Sequence, residues 1–236
     1  MKVIAVTNPK GGSGKTTTTI HLAATLLEKG FKILVIDLDP KKDATNSCNI
    51  SDDRLVFSQE LTDISNEFNF IFIDTPPTLA SPTQEAVEIA NSILFPIDTS
   101  VYSLNAGKTF LHFLETVFPD PNKRPPIWVL LTSFDPRTKF SRNFREEVQT
   151  LFQNQLLETF IHQNVRLKEA ASQNQPITLY SPQSKGHRDF LNLTEEFLSK
   201  ISGSLLPQPT KVSSLPATPS TEGVTVEEFD QLIGDF

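Results

Sequence analysis

Cys48 is the only cysteine in 236 residues, so the chain can build neither a disulfide framework nor a cysteine-held metal or iron–sulfur cluster on its own. No segment approaches the roughly 18 uncharged apolar residues of a membrane-spanning helix. The N-terminus runs straight into an apolar strand-like stretch, without a leader pattern, and the expected compartment is the cytoplasm. Cations are also in short supply. The 21 Lys and Arg stand against 28 Asp and Glu, a net charge of −7 that argues against indiscriminate binding to polyanions. Residues 203–236 hold five of those acids and one lysine, which leaves the rest of the chain near −3 and able to carry a local basic patch. With 38% hydrophobic residues, the chain has enough apolar material for one α/β domain around a single core.

Glycine is sparse as well, nine in all, yet three fall within four residues. Residues 8–17 read Asn-Pro-Lys-Gly-Gly-Ser-Gly-Lys-Thr-Thr, directly after the apolar run Val3 to Val6. A glycine-rich turn between a buried strand and a helix aims successive backbone N–H groups into one concavity, and the helix N-terminus behind it adds about half a positive charge. Phosphate is the natural occupant. Gly11, Gly12 and Gly14 permit the left-handed backbone and close approach such a turn needs, with Ser13 and Thr17 contributing to the cradle. Lys15 is placed to neutralise β and γ phosphates, and the Thr16 hydroxyl to ligate magnesium.

Ile20, Ala23, Ala24 and Leu27 then recur at helical spacing, and Gly30 is placed to end that helix. Two more buried-strand patterns follow. Ile33 to Ile36 runs into Asp37-Leu38-Asp39-Pro40, and Phe70 to Ile73 runs into Asp74-Thr75-Pro76-Pro77. Both put carboxylates at the carboxyl ends of strands, where an open parallel sheet binds its ligand. Ile93 to Phe95 and Ile127 to Leu131 read as further strands, separated by a helix from about Leu104 to Val117. Phe140, Phe144, Val148, Leu151 and Phe152 line one face of a later helix, and Phe190, Leu193, Phe197 and Ile201 one face of the last. The expected fold is a doubly wound, mostly parallel α/β sheet flanked by helices, over residues 1–202. After it, residues 203–225 carry four prolines amid Ser and Thr, the composition of a disordered linker. Residues 226–236 form an acidic amphipathic peptide, with Phe229, Leu232, Ile233 and Phe236 at helical spacing. Its acidic face disfavours a membrane surface.

The loop Lys-Gly-Gly-Ser-Gly-Lys-Thr-Thr, the Asp-x-Asp-Pro segment ending at Pro40 and the Asp-Thr-Pro-Pro segment at 74–77 together resemble the ParA/MinD family of deviant P-loop ATPases, in its small ParA subclass. Weaker echoes occupy 131–138 and 176–186, so the resemblance covers nearly all of residues 1–202. It implies an ATPase using ATP and Mg2+ and pairing as a homodimer when ATP is bound. Lys10 would then reach the partner's nucleotide, Asp39 would orient the attacking water, Asp74 and Asp37 would serve the magnesium with Thr16, and Thr132 would lie on the adenine side.

The resemblance further implies non-specific DNA binding over the nucleoid, with Arg142, Arg145, Arg166, Lys168, Lys185 and Arg188 as candidate contacts. An adaptor of ParB type would stimulate hydrolysis while a plasmid or chromosome locus is partitioned. A protein cargo, such as a carboxysome or chemoreceptor cluster, and a nucleotide-gated regulator with incidental hydrolysis are the alternatives. Two departures stand out. The family's usual Gln-Gly after Asp-Pro is replaced by Lys41-Lys42, a pattern similar to the nitrogenase iron protein, whose cluster ligands a one-cysteine chain lacks. Only 37 residues separate Asp37 from Asp74, and nothing ahead of Thr7 holds a helix-turn-helix, so operator recognition is not expected.

Overall fold

The computed structural model describes residues 1–46, 50 and 52–201. The expected linker and the acidic C-terminal peptide lie outside the described residues. In chain order the elements are β1 (Lys2–Val6), α1 (Lys15–Glu28), β2 (Ile33–Asp37), α2 (Asp43–Asn46), β3 (Leu55–Ser58), β4 (Phe70–Asp74), α3 (Ser81–Ile89), β5 (Ser92–Asp98), α4 (Val101–Val117), β6 (Ile127–Phe134), α5 (Lys139–Phe152), β7 (Leu156–His162), α6 (Val165–Ser172), α7 (Ile177–Tyr180) and α8 (Lys185–Ile201). The strands form one sheet in the order β3-β2-β4-β1-β5-β6-β7, and every pairing is parallel.

Parallel strands joined by helical crossovers must be covered on both faces, which is why these strands read as continuous apolar runs. In β1, Ile4 and Val6 pack on one side with α1 and α8, while Val3 and Ala5 pack on the other with α3, α4 and α5. β4 divides in the same way. Phe70 and Phe72 meet Phe197 of α8 at ring-centroid distances of 6.1 and 5.9 Å, and Phe31 stands edge-on to Phe70 at 5.2 Å. All of these rings are buried. Truncating one, as in Phe72→Ala, costs ~3–5 kcal/mol through lost transfer energy and an unfilled cavity. The aromatic series is core, with one exception: Phe140 is 53% exposed at the first turn of α5, stacked only on Phe144.

β1 sits at the switch point. The chain leaves it through α1 toward β2, returns to β4 beside it, then crosses to β5 on its other flank. Connections therefore diverge above the carboxyl end of β1, opening the crevice that such sheets use for ligands. The β7 edge is protected. Along β7 the Glu196 carboxylate of α8 accepts from the backbone N–H groups of Glu158 and Thr159 at 2.9 and 2.8 Å, and Asp189 accepts from that of His162 at 3.0 Å.

Candidate nucleotide site

The loop after β1 rises over that crevice. Gly12 and Gly14 have φ of 75° and 94°, and Gly14 is the N-cap of α1, so the loop needs a left-handed residue where the helix begins. Space around Gly11 and Gly12 is open, whereas a Cβ on Gly14 would meet Thr132 at 3.3 Å. Thr132, buried at the end of β6, donates its hydroxyl to the Ser13 carbonyl at 2.8 Å and so braces the loop from below. Asn8 braces it from the side. Its amide donates to the Pro96 carbonyl of β5 at 2.8 Å, and its oxygen accepts from the Lys10 N–H at 2.8 Å.

Lys15 is buried in the cradle, its Nζ donating to the Lys10 carbonyl at 3.3 Å. Burial pulls its pKa down, an effect opposed by the Asp74 and Asp39 carboxylates and reinforced by Lys10. Asp74, at the end of β4, has no exposed surface and accepts from the Thr16 hydroxyl at 2.7 Å and the Thr19 hydroxyl at 3.3 Å. Burial raises its pKa to about 7, the Thr16 hydrogen bond opposing and the Asp37 charge adding to the rise. A charged carboxylate so placed has Lys15 nearby as a partly compensating charge, but no ion pair among the described residues. Among the described residues no three His, Cys, Asp or Glu side chains gather to hold a metal, so a cation on Thr16 beside Asp74 would draw most ligands from phosphate and water, the habit of magnesium. The hard oxygen donors of Thr16 and Asp74 fit it.

The first acidic segment is folded on itself. Asp37 accepts from the Asp39 N–H at 3.1 Å and from the backbone and hydroxyl of Thr45 at 2.9 and 3.1 Å, pinning the start of α2. Asp39 accepts from the Lys41 N–H at 3.0 Å. Lys42, which stands where the ParA/MinD pattern has glycine, keeps a left-handed backbone with φ of 55°. Thr17 lies with Gly12, Gly14, Thr132, Asn164 and Lys168 around a cavity of about 250 Å³ that runs from the loop to the ends of β6 and β7.

Lys10 does not enter the cradle. Its ammonium bridges both oxygens of Asp98, at the end of β5, at 2.7 and 2.8 Å. The candidate DNA contacts divide into two groups. Arg145 pairs with Glu158, Arg166 with Glu169, and Arg142 spends its guanidinium on the carbonyls of Pro136 and Arg137. Lys168, Lys185 and Arg188 are exposed and carry no ion pair among the described residues. Sequence reasoning missed Asn8, Thr19 and Asp98. Asp98 carried the same signal as Asp37 and Asp74, a carboxylate ending a buried parallel strand.

A loop of this geometry above the switch point of a parallel sheet defines a P-loop nucleotide-binding protein. Comparison with known proteins narrows the class: the CobQ/CobB/MinD/ParA nucleotide binding domain matches residues 4–177. The chain belongs to this family and is an ATPase. It is 30% identical to the sporulation initiation inhibitor protein Soj of Bacillus subtilis, over 83% of this chain and 97% of that one. It is 28% identical to the chromosome partitioning protein ParA of Myxococcus xanthus, over 84% and 88%. Its fold matches that of a plasmid partition protein of Borrelia burgdorferi bound to AMPPNP, with a TM-score of 0.71 and 21% identity over 85% of this chain and 99% of that one. Among the described residues no helix is long and apolar enough to cross a membrane.

Proposed function

We propose that the chain is a ParA-type partition ATPase of the cytoplasm, which closes as a homodimer over ATP and Mg2+, holds nucleoid DNA without sequence preference, and carries a plasmid or chromosome locus through a ParB-like adaptor that stimulates hydrolysis. The observation that carries the reading is the division of labour between two lysines. Lys15 occupies the phosphate cradle while the Lys10 ammonium is turned out of it toward the end of β5. One loop thus offers a cation for its own triphosphate and a second for another copy's. Relatives named for chromosome partitioning support the cargo assignment.

In this reading the backbone N–H groups of residues 11–16 bind the phosphates, Thr16 with Asp74 and Asp37 serves the magnesium, and Asp39 orients water in line with the γ-phosphorus. Magnesium, when bound, neutralises charge shared between the β and γ phosphates. Thr132 acts by bracing the loop, at the mouth of the cavity that the base would enter. Residues 203–225 act as the tether of the acidic peptide 226–236. The test is turnover measured with and without duplex DNA and the products of neighbouring genes. Stimulation by DNA together with one small partner is expected. Turnover indifferent to every combination would refute the partition role.

A further inference from the structure

Asp98 is built to hold Lys10. It ends β5 opposite Thr132 in the parallel ladder, so its backbone is fixed by the sheet. Its Oδ1 also accepts the hydroxyl of buried Ser103 at 2.7 Å, and Ser103 is tied to the Ser100 hydroxyl at 2.8 Å, so the first turn of α4 orients the carboxylate. The Lys10 backbone is meanwhile fixed to the same strand through Asn8. The ammonium and carboxylate side chains are 24% and 17% exposed, shielded enough for the contact to persist yet open on one side. Val101 and Tyr102, 65% and 77% exposed, begin α4 just beyond Asp98 in the chain.

An ammonium seated on a carboxylate through two short hydrogen bonds has one N–H left and its charge already paired, so giving it fully to another molecule's phosphate means drawing it off Asp98. We propose that Asp98 is the positioning residue of Lys10, a latch that keeps the lysine on its own chain until a second copy carrying triphosphate draws it away. The inference rests on the cross-subunit reading of Lys10. Each protomer must open one latch to pair, so the per-latch factor enters the dimer constant squared. A factor of about three, ordinary for a partly exposed pair, gives roughly a tenfold penalty on pairing.

Two measurements test it. In amine labelling of the nucleotide-free protein read by mass spectrometry, Lys10 of the parent is expected to react several-fold more slowly than Lys10 of Asp98→Asn, which keeps the shape and the Ser103 acceptor but loses the charge. Equal rates overturn the latch whatever the dimer does. In light scattering with AMPPNP and magnesium, Asp98→Asn is expected to pair at roughly tenfold lower protein concentration than the parent, and Asp98→Ala to shift the same way. An unshifted or weakened dimer in both variants overturns the proposal. Lys10→Ala separates the two readings. Normal nucleotide-dependent dimers in that variant refute the cross-subunit role itself, whereas their loss, alongside an unshifted Asp98→Asn, leaves that role intact and removes only the latch.

Discussion

A carboxylate without exposed surface resists ionisation, and Asp74 carries that strain inside the phosphate site. Its pKa of about 7 in the folded chain lies above the ordinary 3.8, so between those values the folded chain keeps a proton that the unfolded chain has released. Stability from this group therefore falls as pH rises through that window, and the whole cost is present above pH 7. Asp74→Asn removes the charge while retaining a side-chain oxygen for the Thr16 hydroxyl. At pH 7.5, without nucleotide or magnesium, the variant is expected to unfold at higher urea than the parent and to lose ATP turnover; a lower urea midpoint would show that the ionised carboxylate is not a burden. Asp39 differs because it is only half-buried and its carboxylate accepts from the neighbouring Lys41 N–H. Asp39→Ala is expected to keep ATP, accumulate dimers and turn over at least about 10²-fold more slowly, since water positioning rather than binding is lost. Single-turnover rates matching the parent would remove its assigned role. Most of the residues gathered at this site were legible in the sequence because glycines, a lysine and strand-end acids occur at fixed offsets. Asp98 ends a buried strand in the same way, but its pairing with Lys10 was not legible, because the two lie 88 positions apart and the β1–β5 pairing brings them together.

Elements are joined by contacts that make their own pH demands. The Ile177 N–H at the start of α7 donates to His21 Nδ1 on α1 at 3.2 Å, and Phe190 of α8 packs edge-on against the imidazole at 5.0 Å. Burial, with a smaller effect from His187, lowers the His21 pKa to about 3. The folded chain therefore excludes a proton that the unfolded chain accepts below about pH 6.5, and this contribution to stability is lost at ~1.4 kcal/mol per unit as pH falls toward 3. Asp74 runs the opposite way across part of the same range, so the raw slope is uninformative and the comparison must be between variants. His21→Gln keeps an acceptor for Ile177 but does not titrate. Between pH 6.5 and 5 the parent is expected to lose about 2 kcal/mol relative to His21→Gln in urea unfolding; parallel curves would place the imidazole in contact with water. At this scale the central strands and the helices carrying long apolar stripes were readable in advance. β3 and β7 were not, for they are edge strands: in β7, Glu158 is exposed and only Leu156, Leu157 and Ile161 are buried, which blurs the alternation.

Across the whole molecule, a net charge of −7 means that any hold on DNA depends on where cations are placed rather than on how many there are. Lys168 borders the cavity beneath the phosphate loop, and Lys185 borders the adjoining one. The two cavities share His162 and Gln163 at the carboxyl end of β7. Both lysines thus lie on the carboxyl rim of the sheet, the rim that also holds the phosphate loop. Arg188 follows Lys185 by one turn of α8, exposed like it. Arg145 and Arg166 already spend their charge on Glu158 and Glu169. Neutralising a phosphate releases condensed counterions, so each true contact adds nearly one unit to the dependence of log affinity on log salt. In fluorescence anisotropy with a duplex of arbitrary sequence, ATP-dependent binding is expected to weaken steeply with salt. Lys185→Ala with Arg188→Ala is expected to lower affinity at least about tenfold near 0.1 M salt and to reduce the slope by about two, while Arg145→Ala with Arg166→Ala changes the slope little. A slope untouched by the first pair, or equal binding with ADP, would move the DNA-holding surface away from the end of β7 and uncouple it from the nucleotide.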